Sequence, residues 1–377
     1  MTFPALSVIV IGTPDRPEAA ITHWKAALDR AAIAAEVVTG PGRMGPGLNA
    51  PLSGARGEFV LIVPADVQPG AWFDALWADR RASGFTIIGG ESQARDAGSR
   101  GGLQRALSLP VTPEGDGVFA RRAALAHPPL GTSDIEWLVE ALVLANSDGW
   151  PIRRTTAPGG RTFPTRLPLG SLWRLWVLRN SAFSADYDER AYNSVIPLQR
   201  YWQRARHRII HSLVDPTTRI LDIGCGSSRI VQDLPHSVGL DIQIKKLRRI
   251  AARTRKVVQA TLTQLPFPTH AFETLICSQV IEHVPEPLVD WHEMNRVLEV
   301  GGILVVGTPD YATIAWPVLE CLYGIVHPKG YVHEHINQYT ARSLVLALET
   351  HGFEVLERAY VGGGELIIKA RKVADTA

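Results

Sequence analysis

The stretch Arg219-Ile-Leu-Asp-Ile-Gly-Cys-Gly-Ser-Ser228, followed by Val238-Gly-Leu-Asp-Ile242, reads as strand, turn and second strand. Ile220, Leu221 and Ile223 form a short apolar run suited to a buried parallel strand. Gly224 and Gly226 then permit a turn too tight for side chains, so a ligand can approach the backbone closely. Asp241 closes the second run 17 residues after Gly224, near the spacing at which an acid accepts hydrogen bonds from ribose hydroxyls in doubly wound folds. A dinucleotide site would want a third glycine in G-x-G-x-x-G, and Arg229 stands there. Asp222, just before the first glycine, would repel a pyrophosphate and suits a ligand carrying an amino group. S-adenosyl-L-methionine has that character.

From Thr218 to about Lys369 the chain resembles the class I S-adenosylmethionine-dependent methyltransferases, through motifs in the family's order. Leu221-Asp-Ile-Gly-Cys-Gly226 resembles the first motif, and Leu265-Pro-Phe-Pro-Thr-His-Ala-Phe-Glu-Thr-Leu-Ile-Cys277 the passage into the fourth strand. Ser278-Gln-Val-Ile-Glu-His-Val284 is similar to the element after that strand. Arg296-Val-Leu-Glu-Val-Gly-Gly302 resembles the turn before the fifth, Leu304-Val-Val-Gly-Thr-Pro309. The resemblance implies a Rossmann-like seven-stranded methyltransferase domain over residues 211–377. It also implies S-adenosyl-L-methionine held by Asp222, Gly224, Cys225, Gly226, Asp241, Ile242, Thr261, Leu262, Ser278 and Gln279. Two positions depart from the pattern. Thr261 stands where the family places an acid against the adenine amino group, and a threonine offers a hydrogen bond without charge assistance. Val300 replaces a proline, a change in turn stiffness.

The 377 residues exceed what one core usually organises. The N-terminal half alternates strand-like Leu6 to Ile11, helix-like Glu18 to Ala35, strand-like Glu36 to Val38 and strand-like Phe59 to Val63, an α/β pattern. Ala20, Trp24, Ala27, Leu28 and Ala31 recur at helical spacing, giving the first helix an apolar face. Ser7-Val-Ile-Val-Ile-Gly-Thr-Pro-Asp-Arg-Pro17 resembles the opening of family 2 glycosyltransferases. Ala55-Arg-Gly-Glu-Phe-Val-Leu-Ile-Val-Pro-Ala-Asp66 resembles the passage ending in that family's metal-binding D-x-D, and Glu136-Trp-Leu-Val-Glu-Ala-Leu142 its late helix. The likeness implies a GT-A-like nucleotide-diphospho-sugar-transferase-type α/β domain over residues 1–158. Its chemistry is degenerate: Pro64 replaces the first acid of D-x-D, and Val37-Val-Thr-Gly-Pro-Gly42 occupies the place of a nucleobase-gripping acid pair. A divalent cation wants several hard oxygen ligands, and only Asp66 remains.

Residues 159–210 read as an Arg/Trp-rich helical linker and cofactor lid. Gly159-Gly-Arg-Thr-Phe-Pro-Thr-Arg-Leu-Pro-Leu-Gly170 has the glycine and proline density of a boundary. Residues 166–210 hold eight arginines against three acids, which accounts for the positive net charge of +2. Leu172-Trp-Arg-Leu-Trp-Val-Leu-Arg179 suits an interface, either an amphipathic helix packed between domains or peripheral membrane contact through residues 169–179. Beyond it, Tyr187, Tyr192, Arg200 and Tyr201 are expected on a helix that closes over the cofactor, or that simply packs on the sheet.

Methyl transfer to a hydroxyl needs alignment and a base, and histidine is the usual base near neutral pH. His335 is the first candidate, His333 and His283 the next. A bound metal is not expected, because His333-Glu-His335 lacks the i, i+4 spacing of H-E-x-x-H. Cys225, Cys277 and Cys321 form no C-x-x-C pair, which favours a reducing compartment. With no basic leader, no apolar run of about 18 residues and small net charge, the chain is expected to be cytoplasmic, possessing no nucleic-acid partner. The expected acceptor is a small molecule, glycan or lipid-linked sugar, inferred from the fused sugar-transferase likeness. The rival readings are a non-catalytic scaffold that binds a glycan or lipid carrier, and a bifunctional glycosyltransferase and methyltransferase.

Overall fold

The computed structural model describes residues 4–12, 17–42, 44–89, 104, 107, 109, 111, 117–127, 129, 131, 133–158, 167–179, 184–251, 253–254, 256–318 and 335–376. The chain divides into two compact units, Met1–Asn180 and Ser181–Ala377. Each is an α/β domain.

The N-terminal unit runs β1 (Leu6–Ile11), α1 (Pro17–Arg30), β2 (Ala35–Thr39), α2 (Asn49–Gly54), β3 (Phe59–Pro64), α3 (Ala71–Ala78), β4 (Phe85–Gly89), β5 (Gly117–Arg121), α4 (Asp134–Ser147), β6 (Ile152–Thr156) and α5 (Leu169–Arg179). The sheet order is β2-β1-β3-β5-β4-β6, with β5 antiparallel to both neighbours and the other pairs parallel. β1, apolar but for Ser7, and β3 are buried on both faces, as strands covered by helices on either side must be. Trp24 of α1 is fully buried and meets Phe73 edge-on at 5.2 Å between ring centroids. The first helix is shorter than its alanine-rich sequence predicts. It closes at Ala31–Ala32, where Ala32 takes a left-handed φ of 52° and the amides of Ala32 and Ile33 turn back to the carbonyls of Asp29 and Leu28. That wrap satisfies the helix's last carbonyls and frees Ala35 to enter the sheet beside Leu6.

Two features of this unit bear on its expected chemistry. β3 ends at buried Pro64, and Asp66 lies exposed just beyond it. In α5, Leu175 is buried in the core, Arg179 is buried and donates from Nε to the Leu107 carbonyl at 2.8 Å, and Arg174 pairs with Glu140 at 2.8 Å. The exposed face therefore carries Leu169 and the stacked rings of Trp173 and Trp176, 5.2 Å apart. The mixture of tryptophan and arginine in the sequence separates in three dimensions, with these two arginines turned toward the unit's own groups.

The C-terminal unit runs α6 (Tyr187–Tyr192), α7 (Pro197–Leu213), β7 (Ile220–Ile223), α8 (Ile230–Asp233), β8 (Ser237–Asp241), α9 (Ile244–Ala251), β9 (Val257–Gln259), β10 (Phe272–Ser278), α10 (Trp291–Val297), β11 (Leu298–Pro309), α11 (Ala341–Thr350), β12 (Phe353–Val361) and β13 (Glu365–Lys372). Its seven strands take the order β12-β13-β11-β10-β7-β8-β9. Only β13 is antiparallel to its neighbours. β7 lies between β8 and β10, so the chain winds outward in opposite directions from the β7–β10 pair. Such a reversal opens a crevice beyond the carboxyl ends of the strands, where doubly wound sheets hold ligands.

Candidate active site

The loop after β7 is the floor of that crevice. Gly224 and Gly226 sit at φ +67° and +56°, a region that side chains with Cβ avoid. A Cβ on Gly224 would run into Val280, and one on Gly226 would stand 2.6 Å from the Asp188 carboxylate. Gly224→Ala is expected to cost about 2–4 kcal/mol from the left-handed backbone and the overlap together. The check is the melting midpoint, with Val280→Ala recovering the overlap part and leaving the backbone part. Equal stability of Gly224→Ala and wild type would contradict this geometry.

Asp241 ends β8 buried. Its carboxylate accepts from the Gly226 amide at 2.9 Å and from the Gln243 amide at 2.7 Å. Cys225, buried, ties its own amide to the Leu240 carbonyl at 3.0 Å. Burial, followed by the charges of Asp241 and Asp188, pushes the Asp222 carboxyl well above the usual carboxylate range, and its Oδ2 has no hydrogen-bond partner. At the end of β10, Gln279 takes a left-handed φ of 59° and its amide reaches the Gly307 carbonyl at 2.8 Å. Ser278 Oγ and Gln279 Nε2 are likewise buried without partners. Leu262 is buried, while Ile242 is largely exposed and Thr261 is exposed with its hydroxyl 2.8 Å from that of Thr263. Orphaned polar atoms cost about 1–3 kcal/mol each when left unmet. Their grouping at the ends of β7 and β10 fits a small polar ligand with an amino group and hydroxyls, the donor set of S-adenosyl-L-methionine.

Asp188 was not legible in the sequence. From α6 it accepts from the Ser227 amide at 2.9 Å and the Ser227 hydroxyl at 3.0 Å, with Lys246 Nζ at 3.7 Å. Burial acts to raise its pKa, but Lys246 and these bonds hold the carboxyl below its ordinary value. On α7, Tyr201 is 51% exposed, whereas its neighbour Trp202 turns inward. Trp202 donates to Glu365 at 2.5 Å, packs on Gly362 and approaches Trp316 at 6.1 Å between centroids. Arg206, one turn on, holds the same fully buried Glu365 with contacts of 2.5 and 2.7 Å. The apolar spacing Trp202, Ala205, Ile209, Leu213 was the signal that assigns Trp202 to the inner face.

The histidines gather beyond β10 and β11. The segment entering at His335 is laced to the turn after β10: the amides of Ile336 and Asn337 reach the Glu282 carbonyl at 2.8 and 3.1 Å, and Asn337 Nδ2 the Val284 carbonyl at 2.5 Å. This lacing sets the rings of His283 and His335 4.9 Å apart. Tyr311, just past β11, places its hydroxyl 2.8 Å from His335 Nδ1. Burial and the neighbouring His283 lower the His335 pKa to about 4. His333 lies outside the described residues.

Beneath the two rings lies Glu282, fully buried, with the Thr308 hydroxyl donating to Oε2 at 3.2 Å and Oε1 without a partner. Burial raises its pKa to about 8, with Glu365 adding to the rise and Arg206 opposing it. The folded protein therefore keeps a proton that the unfolded chain releases near the ordinary value of 4.5. Stability is fully present below that value, declines as pH rises toward about 8 and levels beyond it. The decline is on the order of 4–5 kcal/mol. Glu282→Gln is expected to flatten it, matching wild type in thermal melts near pH 5 and exceeding it near pH 8. A decline of the same size in the variant would assign the titration elsewhere.

Among the described residues, two groups bring potential metal-ligand atoms within 4.8 Å of one another: Glu282, His283 and His335 here, and His207, His211 and Asp233 on α7 and α8. No helix among the described residues is long and apolar enough to cross a membrane.

The seven-stranded doubly wound sheet and the comparisons together identify a Rossmann-like methyltransferase domain in the C-terminal half. Residues 221–306 match the family model described as "Methyltransferase domain". The chain is 28% identical over 166 residues to a Mycolicibacterium smegmatis protein described as "Probable S-adenosylmethionine-dependent methyltransferase", covering 42% of this chain and 61% of the relative. It is 29% identical over 129 residues to a Mycobacterium tuberculosis protein of that description, covering 32% and 47%. A Lysinibacillus sphaericus demethylmenaquinone methyltransferase is 25% identical over 210 residues, covering 48% and 89%. The chain spans about half to three-fifths of the length of the two mycobacterial relatives. The cofactor these matches support for the C-terminal half is S-adenosyl-L-methionine.

Proposed function

We propose that the protein transfers a methyl group from S-adenosyl-L-methionine to a hydroxyl of a sugar, glycolipid or polysaccharide precursor. The observation that carries the reading is the placing of the orphaned Oδ2 of Asp222, the anchored carboxylate of Asp241 and the His283–His335 pair at the carboxyl ends of β7, β8, β10 and β11. Asp241 and the glycine turn would hold the ribose. Asp222 would face the amino group, whose positive charge favours the ionised carboxyl. When bound, the cofactor supplies a methyl group already activated on a sulfonium. His335 accepts the acceptor hydroxyl's proton: its ring is neutral at physiological pH, though with a pKa of about 4 it is a weaker base than an ordinary histidine, and Tyr311 orients it through Nδ1.

The sugar-type acceptor rests on the likeness of Ser7–Pro17 and Ala55–Asp66 to family 2 glycosyltransferases, an associational argument. In this reading the N-terminal unit is a GT-A-like module that has lost its metal-binding acid at Pro64 and retains a sugar-binding or scaffolding role. Peripheral membrane contact through residues 169–179 is supported by exposed Leu169, Trp173 and Trp176. The test is transfer of isotopically labelled methyl from S-adenosyl-L-methionine to a panel of glycans and lipid-linked sugars. Alkali-stable label is expected, since a methyl ether survives base and a methyl ester does not. Label confined to carboxyl or amine acceptors would overturn the substrate assignment, and cofactor binding without transfer to any acceptor would favour the scaffold.

A further inference from the structure

A second cluster lies on α7 and α8, outside the residues assigned to methyl transfer. His207 and His211 stand four residues apart on α7 and so share one helix face. Their rings lie 4.1 Å apart at 33°. His207 Nε2 is 3.0 Å from Oδ2 of Asp233, which ends α8. One ligand atom from each of the three lies within 4.8 Å of the others. His211 Nε2 is buried and has no hydrogen-bond partner. A hydrophobic role would not place an imidazole nitrogen there, since an unmet buried nitrogen is costly. Tyr192 packs edge-on to His207 at 5.4 Å, and Arg229 covers that tyrosine at 5.1 Å while pairing with Asp233 at 3.4 Å.

We propose that His207, His211 and Asp233 form a binding site for a divalent transition-metal cation of the zinc type. Two imidazoles and one carboxylate are borderline ligands that favour zinc and its first-row neighbours over magnesium or calcium. Tetrahedral ligands about 2.0–2.2 Å from zinc stand roughly 3–3.5 Å apart, somewhat closer than the 4.8 Å within which the three ligand atoms lie, so the side chains would draw together on the ion. Burial also keeps both rings below the ordinary histidine pKa, which leaves their lone pairs available. Arg229 and His207 both meet Oδ2 of Asp233, at 3.4 and 3.0 Å, so in the loaded state the ion takes the place of the His207 contact at that carboxylate. The ion ties α7 to α8, the helix that follows Gly224–Arg229, and so links metal binding to the rigidity of the glycine turn.

The test uses the full chain, stripped with a chelator and titrated with Co2+ as a spectroscopic stand-in for zinc. One equivalent per chain with the visible bands of a four-coordinate site is expected, displaced by Zn2+. His211→Gln and Asp233→Asn should each lose those bands, while His335→Gln, which alters the other histidine cluster, keeps them. Thermal melts provide the second readout: Zn2+ should raise the midpoint of wild type and not that of His211→Gln. Absence of stoichiometric uptake, bands that survive in His211→Gln, or bands lost in His335→Gln would each overturn the assignment.

Discussion

Asp241→Ala is expected to abolish cofactor binding and turnover together. In the structure this carboxylate already holds the glycine turn, through the amides of Gly226 and Gln243. Removing it leaves two amides without their charged acceptor, each worth about 1–3 kcal/mol. It also takes away the acid that would receive the ribose hydroxyls, with charge-assisted bonds of about 1.5–3 kcal/mol each. Two such bonds correspond to roughly a hundred-fold to ten-thousand-fold weaker cofactor binding. Asp241→Asn keeps the size of the side chain but only one acceptor oxygen, so it can accept from Gly226 or from Gln243 and not from both. The variant should lose about 1–3 kcal/mol of stability and bind cofactor at least about tenfold more weakly. Isothermal titration and circular dichroism read both quantities, and wild-type affinity in Asp241→Ala would remove the residue from the site.

His335→Ala is expected to slow the chemical step while leaving cofactor affinity unchanged. A positioned general base contributes about 10²–10⁴-fold, so kcat should fall by that order. The depressed His335 pKa fixes the pH dependence. A histidine lowered to about 4 by burial and by His283 is neutral throughout the physiological range. Activity should therefore show no histidine inflection near 6.5 and fall only as pH drops toward 4. The same depression makes the protonated ring costly in the folded state, so its contribution to stability is present above the ordinary value of 6.5 and is lost as pH falls through about 4. Tyr311→Phe should lower kcat less than His335→Ala does, since it removes the orienting bond to Nδ1 and leaves the base in place. Full activity in His335→Ala would shift the role to His283 or His333.

The turn after β7 was legible because its information is local. An apolar run, two glycines with no tolerance for Cβ, and an acid at the end of the next run lie within 23 residues of Arg219. The strands Leu6–Ile11 and Phe59–Pro64 were legible for the same reason: runs that are apolar, but for Ser7, are buried on both faces. The parts that escaped depend on long-range contact. Asp188 meets Ser227 across 39 residues, and Trp202 meets Glu365 across 163. Nothing in the immediate neighbourhood of either residue announces its partner. Aromatic composition alone does not say which face Tyr201 takes, and helical phase turns it outward and Trp202 inward. The burial of Glu282 is likewise set by contacts distant in sequence, the Thr308 hydroxyl and the Ile336 and Asn337 amides. The end of the first helix is not legible because alanine favours helix at every position, whereas the stop comes at the Ala32 turn that lets Ala35 pair with Leu6.

Calorimetric titration of the full chain with S-adenosyl-L-methionine decides whether the crevice beyond β7 and β10 holds that cofactor. The expected result is one site per chain with micromolar affinity, about 8 kcal/mol, and no detectable heat when the same titration is run on Asp241→Ala. Absence of binding heat in wild type at several temperatures, or equal binding in both proteins, would contradict the account.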